Sequence, residues 1–310
     1  MLVVTVPACS VIIPTYNRAE LLARTLDSLV RQDLPAADFE VLVVDDGSSD
    51  HTAELAGSYR DRLALRYFFQ PDEGWRVAQA RNVGITHARG GVCVMVDSGV
   101  LLHSGCLRAH LASHEQADGP VAVIGYVYGF DCKVAEAEEM MRTLAFDDPD
   151  ASIALIRDIG RWADTREPFY ASQGDDLGGL PAPWVFYWTC NASAPTERLR
   201  AVGGFDEQFR SWGGEDIDLG YRLHLDGVRF VLDRAASSIH YPHGSSLSVS
   251  MAGARDVHRY VAQKHGTPII RMLPMLGGAL NFLTFNDVAT ARRLPRCEDY
   301  LREQAATPGP

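Results

Sequence analysis

The first hundred residues alternate between short apolar runs and amphipathic stretches. The apolar runs lie in "CSVIIPTYN", "FEVLVVDD", "LALRYFFQ" and "VCVMVD", and the stretches between them place Leu and Val at helical spacing, most clearly over 18–31. Asn17 followed by Glu20 is typical of a capping box at the start of that helix. Continuous apolar strands separated by helices indicate a parallel sheet covered on both faces. The pattern therefore predicts an α/β fold.

The alternation becomes less regular after residue 103. Residues 131–183 are acidic and are predicted to form helical pieces, and the Gly and Pro content of 165–183 predicts a mobile loop or lid. Strand character returns in "WVFYWTCNASA", and 228–241 is predicted to form two short strands. A helix follows "WGGED", and the remainder of the chain is mostly helical in pattern.

Polar side chains follow three of the predicted strands. Tyr16 comes after the first strand, Asp45 and Asp46 end the second, and Asp97 ends the fourth. Ligands of open parallel sheets bind beyond the carboxyl ends of the strands. We therefore expect a binding site along this edge.

Charge and composition exclude several classes of protein. The 310 residues carry 29 basic and 40 acidic side chains, a net charge of −11, which argues against a nucleic-acid polymer as partner. The six cysteines are scattered without a C-x-x-C pair, which favours reduced thiols over a zinc site. No apolar run reaches the length of a membrane span, and the N-terminus lacks the charged start of a signal peptide. These features predict a cytoplasmic protein without a transmembrane segment.

The most apolar stretch is 269–285, and Arg271 and Pro274 interrupt it. Core packing or a subunit contact that would make the protein a homo-oligomer is one interpretation. A membrane-surface contact is the other, because amphipathic segments can lie at an interface.

Two motifs in the first half have both a structural and a chemical interpretation. "VVDDGSSD" is either a strand-to-helix turn capped by Ser49 or Asp50, or an aspartate that accepts a hydrogen bond from a nucleotide ring or ribose, with Tyr16 stacking on the base. "DEGWRVAQARN" places Arg76 and Arg81 near a helix start, which suits a diphosphate as well as a solvated basic face.

Two motifs in the second half are similarly open. "WGGEDID" combines an aromatic platform, two glycines and acids that could take a proton, although acids also favour helix N-termini for electrostatic reasons alone. In "SSIHYPHG", His240 and His243 are structural residues, or they are metal ligands that need a carboxylate such as Asp97.

Taken in order, "SVIIPTYNR", "EVLVVDDGSSD", "ARNVGI", the strand ending in Asp97, "GGFDE" and "WGGED" resemble a family-2 glycosyltransferase of the GT-A fold. "WGGED" further resembles the galactosyltransferase-type motif of chondroitin-polymerase-like enzymes. The resemblance covers 9–103 and 184–243. It implies a Rossmann-like, mostly parallel sheet flanked by helices, a smaller acceptor-side sheet and C-terminal helices. It divides the chain into a nucleotide-sugar-binding half (1–103), an acceptor-binding and catalytic half (104–250, with 131–183 variable) and a helical extension (251–310).

The resemblance also implies roles for individual residues. The donor would be a UDP-sugar, with Asp216 as general base, Glu215 and Trp212 beside the acceptor, and Asp97 at the first position of a D-x-D metal motif. Gly99 stands where the second acid of that motif belongs, and His240 stands where relatives have a metal-binding histidine. The full set comprises Pro14, Thr15, Tyr16, Asp46, Arg76, Asp97 and Ser98 for the nucleotide sugar, Asp216 and Glu215 for catalysis, Trp212, Gly213 and Gly214 for the acceptor, and Asp97 and His240 for Mn²⁺ or Mg²⁺.

The implied reaction is inverting transfer of a hexose or N-acetylhexosamine from the UDP-sugar to a hydroxyl of a saccharide or small-molecule acceptor. One alternative is a nucleotide-sugar-binding protein without transfer activity, in which Gly99 marks a decayed site. Another is a nucleotidyltransferase, but "PTYNR" is not the Gly-rich basic loop that such chemistry needs. A metal-free enzyme, with Arg76 and Arg81 carrying the charge on UDP, also stays open.

Overall fold

The computed structural model of the chain describes residues 6–130, 132–243 and 247–306. Eight strands form its core, and their bounds follow the apolar runs closely in the first half of the chain. They are β1 Cys9–Thr15, β2 Phe39–Asp45, β3 Leu65–Phe69, β4 Val92–Val96, β5 Val100–Leu102, β6 Val121–Tyr128, β7 Asn191–Pro195 and β8 Arg229–His240.

All eight strands belong to one sheet, in the order β3-β2-β1-β4-β7-β6-β8-β5. Strands β1 to β4 are parallel, β7 runs antiparallel to both β4 and β6, and β6 pairs in parallel with β8. The α/β fold is confirmed, but the smaller acceptor-side sheet is not separate. Strand β7 hydrogen-bonds on both sides and joins the second half of the chain to the first.

A single strand, β8, replaces the two strands predicted over 228–241. Its pairing with β6 shifts between Gly125 and Tyr126, where Asp233 and then Ser237 lie opposite. A bulge of this kind bends a strand without ending it. The strand therefore continues from Arg229 to His240.

Helices cover both faces of the sheet. Strand β1 shows why, because Val11 and Ile13 point into one buried cluster and Ile12 into the other. The helices are α1 Ala19–Val30, α2 Thr52–Gly57, α3 Val77–His87, α4 Cys106–Gln116, α5 Val134–Thr143, α6 Pro149–Ile159, α7 Glu167–Gln173, α8 Thr196–Ala201, α9 Glu215–Leu225, α10 Leu247–His265, α11 Phe285–Ala291 and α12 Cys297–Ala306.

The start of α1 does not use the predicted capping box. The Ala19 N–H donates to Asp50 Oδ2 at 3.1 Å, and Asn17 Oδ1 accepts from the Ser49 and Asp50 N–H groups. The two loops therefore cap each other at the edge of the sheet.

The segment predicted to be a mobile loop, 165–183, begins with a buried anchor. The Arg166 guanidinium bonds Asp164 and donates to the carbonyls of Phe186 and Gly125. Further along, Leu177 N donates to Phe230 O. These bonds tie the segment to β6 and β8.

Part of the stretch 269–285 packs into the core. Ile269, Ile270, Leu273 and Phe285 are fully buried in the main cluster of this chain. Other positions, such as Arg271 and Gly277, are exposed, and the subunit or membrane-surface contact stays a prediction for them. Within the parts of the chain that the structure describes, no helix is both long and apolar enough to cross a bilayer.

Candidate active site

The sheet brings the predicted site residues to one edge. Because β7 is antiparallel to β4 and β6, the loops after β1, β2, β4, β6 and β8 and the loop before β7 share that edge. The residues delivered there are Tyr16, Asp46, Asp97, Phe130, Thr189 and His240.

Asp46 lies at the end of β2 and is buried. Its Oδ1 accepts from Gln70 Nε2 at 2.5 Å and its Oδ2 from the Arg76 N–H at 2.8 Å. Arg76 is also buried, with its Nε 3.4 Å from Asp46 Oδ1 and its Nη1 bonded to Glu73. The acid thus holds the loop before α3 against the end of β2.

Tyr16 is half-exposed beside this loop, and its hydroxyl donates to Asp72 Oδ2 at 2.8 Å. Pro14 and Thr15 precede it in β1. The Pro14 carbonyl accepts from Ser98 Oγ at 3.0 Å, which ties β1 to the turn after β4. Thr15 Oγ1 is buried and has no hydrogen-bond partner among the described residues.

Asp45 and Asp46 have different functions although they are adjacent. Asp45 Oδ1 accepts from the Gly47 and Ser48 N–H groups, and its Oδ2 accepts from the Tyr67 hydroxyl. Both oxygens of Asp45 are therefore used by the turn itself. Asp46 instead bonds Gln70 and Arg76, so the two acids hold different loops at the end of β2.

Arg81 is the centre of the site, and its position is the main result that the motif analysis missed. Its Nη2 lies 3.0 Å from Asp97 Oδ1, and its Nη1 lies 3.1 Å from Glu215 Oε1 and 3.4 Å from Asp216 Oδ1. Burial alone would lower the pKa of Arg81, but the charges of Asp97, Asp216 and Glu215 outweigh it and raise the pKa. The guanidinium thus stays charged and joins the two halves of the chain.

Glu215 and Asp216 are the first two residues of α9. Thr189, just before β7, donates its hydroxyl to Asp216 Oδ1 at 2.5 Å and its N–H to Oδ2 at 3.2 Å. Burial raises the pKa of Asp216, while Arg81 and Thr189 oppose the rise. Burial and the neighbouring charge of Asp216 raise the pKa of Glu215, whose Oε2 has no partner among the described residues.

Trp212, Gly213 and Gly214 lead into α9. Trp212 is half-exposed, and both glycines have positive φ, +93° and +90°. A Cβ atom at Gly214 would lie 2.3 Å from Val257 Cγ1. Gly214 therefore allows α9 to approach α10, and Trp212 remains at the surface beside the acids.

His240, at the end of β8, lies close to the turn after Asp97. Val100 pairs with His240, and Tyr241 N donates to Gly99 O at 2.8 Å. Burial, with help from His243, lowers the pKa of His240 to about 4 against the opposing charge of Asp97. The imidazole is therefore neutral at physiological pH, which is the form that binds metals.

Gly99 has a φ of +98°. Its N–H donates to Thr25 Oγ1 at 2.9 Å, and this hydrogen bond holds the backbone in that conformation. L-residues rarely adopt this conformation, so an acid at this position would be strained. Among the described residues there is no group of three or more His, Cys, Asp or Glu side chains arranged to hold a metal ion. Asp97 and His240 thus supply two metal ligands, and any further ligand of a bound cation must come from other groups.

Two family models cover most of the chain. Residues 10–166 match the model described as glycosyl transferase family 2, and residues 177–244 match the one described as the N-terminal domain of galactosyltransferase. The chain belongs to glycosyl transferase family 2. The resemblance inferred from the motifs is confirmed.

Several curated proteins are similar to this family member. It is 42% identical over 238 residues to the validoxylamine A glucosyltransferase of Streptomyces hygroscopicus subsp. jinggangensis, covering 77% of this chain and 56% of the relative. It is 28% identical over 279 residues to the chondroitin synthase of Pasteurella multocida, covering 85% of this chain and 28% of that one. The chain therefore spans only part of the length of these relatives.

Solved structures show the same fold. Staphylococcus aureus TarS 1–349 in complex with UDP-GlcNAc superposes with a TM-score of 0.61 at 19% identity, over 89% of this chain and 69% of that one. The mannosyltransferase PcManGT of Pyrobaculum calidifontis, in complex with GDP-Man and Mn2+, gives 0.58 at 21% identity over 97% and 80%. At these identities the likeness establishes the GT-A fold alone.

Proposed function

We propose that this chain is an inverting glycosyltransferase that moves a hexose or N-acetylhexosamine from a UDP-sugar to a hydroxyl acceptor. The observation that carries the proposal is the arrangement at Asp216. Thr189 donates a hydrogen bond to each carboxylate oxygen of Asp216. Arg81 links the same carboxylate to Asp97 at the end of β4. A base and a donor-side acid are thus held in one cluster.

The nucleotide half of the donor would bind at the ends of β1 and β2. The exposed ring of Tyr16 is available to stack on uracil, and Asp46 would accept from the ring N–H. Pro14, Thr15 and Ser98 would form the adjoining part of the nucleotide site, where Ser98 Oγ ties the two segments together through the Pro14 carbonyl. Arg76 would approach the diphosphate, with Asp97 beyond it.

Transfer then requires one proton movement and one exchange of bonds. Asp216 takes the proton of an acceptor hydroxyl, and the oxygen forms a bond to the anomeric carbon from the face opposite UDP. The bond from that carbon to the UDP oxygen breaks, and its electron pair leaves with UDP. A base must be within hydrogen-bond reach of the nucleophile and must be deprotonated. Arg81 opposes the rise that burial causes in the pKa of Asp216, and this favours the deprotonated form.

The acceptor would bind on the α9 side of the site. Glu215 would accept a hydrogen bond from an acceptor hydroxyl, and Trp212 presents an exposed aromatic face to a sugar ring. Gly213 and Gly214 shape the turn between them. This division corresponds to a donor half over 1–103 and an acceptor half over 104–250, with 251–310 as a helical extension that packs on the second half.

A divalent cation fits the donor set at Asp97 and His240. The imidazole is neutral, and Asp97 has one oxygen that Arg81 does not bond. When bound, Mn²⁺ or Mg²⁺ would neutralise the departing diphosphate. Arg76 and Arg81 would contribute positive charge to the same region, so the chain's own cations share this task.

The similar proteins suggest which substrates to test first. UDP-glucose with validoxylamine A is the first pair, because a relative at 42% identity is a validoxylamine A glucosyltransferase. UDP-GlcNAc is the next donor. We also propose a cytoplasmic location, since the buried cysteines Cys9, Cys93, Cys106, Cys190 and Cys297 suit a reducing compartment.

The experiment that tests the proposal measures donor binding and transfer separately. Thermal shift with UDP-, GDP- and dTDP-sugars identifies the donor, and release of UDP is then measured with and without acceptor. Acceptor-dependent UDP release supports a glycosyltransferase. UDP-sugar binding without release under any acceptor supports instead a nucleotide-sugar-binding protein.

A further inference from the structure

A cavity of about 310 Å³ lies between the end of β6 and the segment 161–165. None of the donor or catalytic residues assigned above lines it. Phe130, Glu136, Arg161, Trp162 and Thr165 form most of its wall. Its volume is at the lower end of ligand pockets and suits a single ring.

Trp162 carries an unusual combination of features in the wall of this cavity. It is nine-tenths buried, and its Nε1 has no hydrogen-bond partner among the described residues. Its φ is +52°, a left-handed conformation that is strained for a bulky residue. The Gly129 N–H donates to its carbonyl at 2.8 Å and fixes that conformation at the end of β6. The nitrogen itself has less than 1 Å² of accessible surface, so Trp162 offers the cavity an aromatic face rather than a hydrogen-bond donor.

Phe130 places the cavity next to the catalytic cluster. Its ring centroid lies 5.2 Å from that of His240 and 5.3 Å from that of Trp188, whose neighbour Thr189 holds Asp216. In the sheet, β7 separates β6 from β4, whereas Tyr16 and Asp46 follow β1 and β2 on the other side of β4. The cavity therefore lies across Asp97 from the proposed nucleotide site.

The chemistry of the wall suits a ring with several hydroxyl groups. Glu136 can accept hydrogen bonds, and the Thr165 hydroxyl can both donate and accept them. Arg161 pairs with Glu139 and lies over the Trp162 ring with its Cζ 4.9 Å from the centroid, which leaves further guanidinium donors near the cavity. Phe130 adds an apolar face of the kind that packs on sugar rings.

We propose that this cavity is a subsite for the part of the acceptor remote from the reacting hydroxyl, and that it takes one polyhydroxylated ring. The inference rests on the proposed function, because it assumes an acceptor at Asp216. It predicts that two-ring acceptors bind more tightly than one-ring acceptors, and that the difference depends on the cavity.

Two variants test this subsite without touching the catalytic cluster. Ala163→Trp fills the cavity from an exposed position in its wall, and Ala171→Trp, at an exposed position in α7, is the matched control. Trp162→Phe replaces the indole by a single six-membered ring and so shortens the aromatic face of the cavity. Binding of validoxylamine A and cellobiose as two-ring probes and methyl β-D-glucopyranoside as a one-ring probe is measured by saturation-transfer NMR with UDP present.

We expect Ala163→Trp to weaken both two-ring probes tenfold or more, and Trp162→Phe, which loses part of the aromatic face, to weaken at least one of them about fivefold. The one-ring probe and UDP should bind as in the wild type, and so should every probe in Ala171→Trp. Wild-type affinity of the two-ring probes in Ala163→Trp would overturn the subsite, as would failure of both to bind the wild-type protein. Because binding is measured apart from transfer, a protein that binds these probes through the cavity yet never releases UDP would contradict the proposed function and leave the subsite standing.

Discussion

Arg81 Nη2 and Asp97 Oδ1 lie 3.0 Å apart, and this ion pair connects α3 to the end of β4 at the point where donor and acceptor halves meet. The same guanidinium reaches Glu215 and Asp216 on α9. A single buried cation thus compensates acids from both halves. The stability of the fold and the protonation of the proposed base depend on the same residue.

Replacing Arg81 should therefore affect folding and activity together. Arg81→Met leaves three acids without their shared cation, and we expect the free energy of unfolding to fall by about 3–5 kcal/mol. Arg81→Lys keeps the charge but loses the planar fork that spans the acids, so it should fold better and still turn over slowly. Urea unfolding and UDP release measure the two effects. Arg60→Met, on the surface, is the control, and an Arg81→Met protein as stable as that control would show that Arg81 is not the centre of the cluster.

The nucleotide site can be tested by binding alone. Tyr16→Ala and Asp46→Ala should each weaken UDP by about 1–3 kcal/mol, through loss of stacking and of a bond to a ring N–H. Tyr16→Phe keeps the ring and loses only the contact with Asp72, so its affinity should stay near that of the wild type. Calorimetry that finds unchanged UDP affinity in both alanine variants would show that the uracil ring does not bind at this edge of the sheet.

The first half of the fold could be predicted because its information is local. Apolar runs and helical spacing defined β1 to β4 and the helices between them to within a few residues. The insertion of β7 between β4 and β6, and the bulge that keeps β8 as one strand, depend on pairing between distant segments. A single sequence does not contain that pairing in its periodicity.

Site residues could be predicted where a sequence motif contains them. They could not be predicted where the fold brings together two segments that are distant in the sequence. Asp216 and Asp97 were proposed from the resemblance of the motifs that contain them, and the fold brings both to Arg81. Arg81 was considered as a diphosphate ligand or as part of a solvated basic face, and its three acidic partners, Asp97, Glu215 and Asp216, reach it only through the fold. Thr189 gave no signal at all, because only the fold places it beside Asp216.

Asp218 should make the stability of the protein depend on pH in the acid range. Burial would raise the pKa of Asp218, but His265, Arg222 and Lys264 outweigh it and lower the pKa to about 2. A lowered pKa stabilises the folded state above the ordinary value near 4, and this stabilisation disappears as the pH falls toward 2. It amounts to about 2 kcal/mol, since each pKa unit is about 1.4 kcal/mol.

Urea unfolding at pH 7, 4 and 3 measures this contribution. The wild type should be more stable than Asp218→Asn at pH 7, and the gap should narrow as the pH falls below 4. Asp61→Asn, on the surface, should show a small gap at every pH. A gap for Asp218→Asn that is the same at pH 7 and pH 3 would mean that packing, and not charge, is what Asp218 provides.

The metal proposal predicts a weak requirement for a cation. With Asp97 and His240 as the protein ligands and Gly99 in place of a second acid, activity should need millimolar rather than micromolar Mn²⁺, an estimate on the order of a thousandfold weaker than a full ligand set. His240→Gln should raise the Mn²⁺ concentration that gives half-maximal activity. Full activity in excess EDTA would indicate that Arg76 and Arg81, and not a metal ion, neutralise the negative charge of UDP. An unchanged Mn²⁺ dependence in His240→Gln would exclude His240 as a metal ligand.

The most direct test of the account is a comparison of wild type and Asp216→Asn in which UDP-sugar affinity and turnover are measured on the same samples. The asparagine keeps the shape of the side chain and can still accept a bond from Thr189, but it cannot take the proton of the acceptor hydroxyl. We expect UDP-sugar affinity within a few fold of the wild type and turnover lower by about 10²-fold or more. Turnover near the wild-type value in Asp216→Asn would contradict the assignment of the base, and loss of donor affinity in its place would make Asp216 a structural residue.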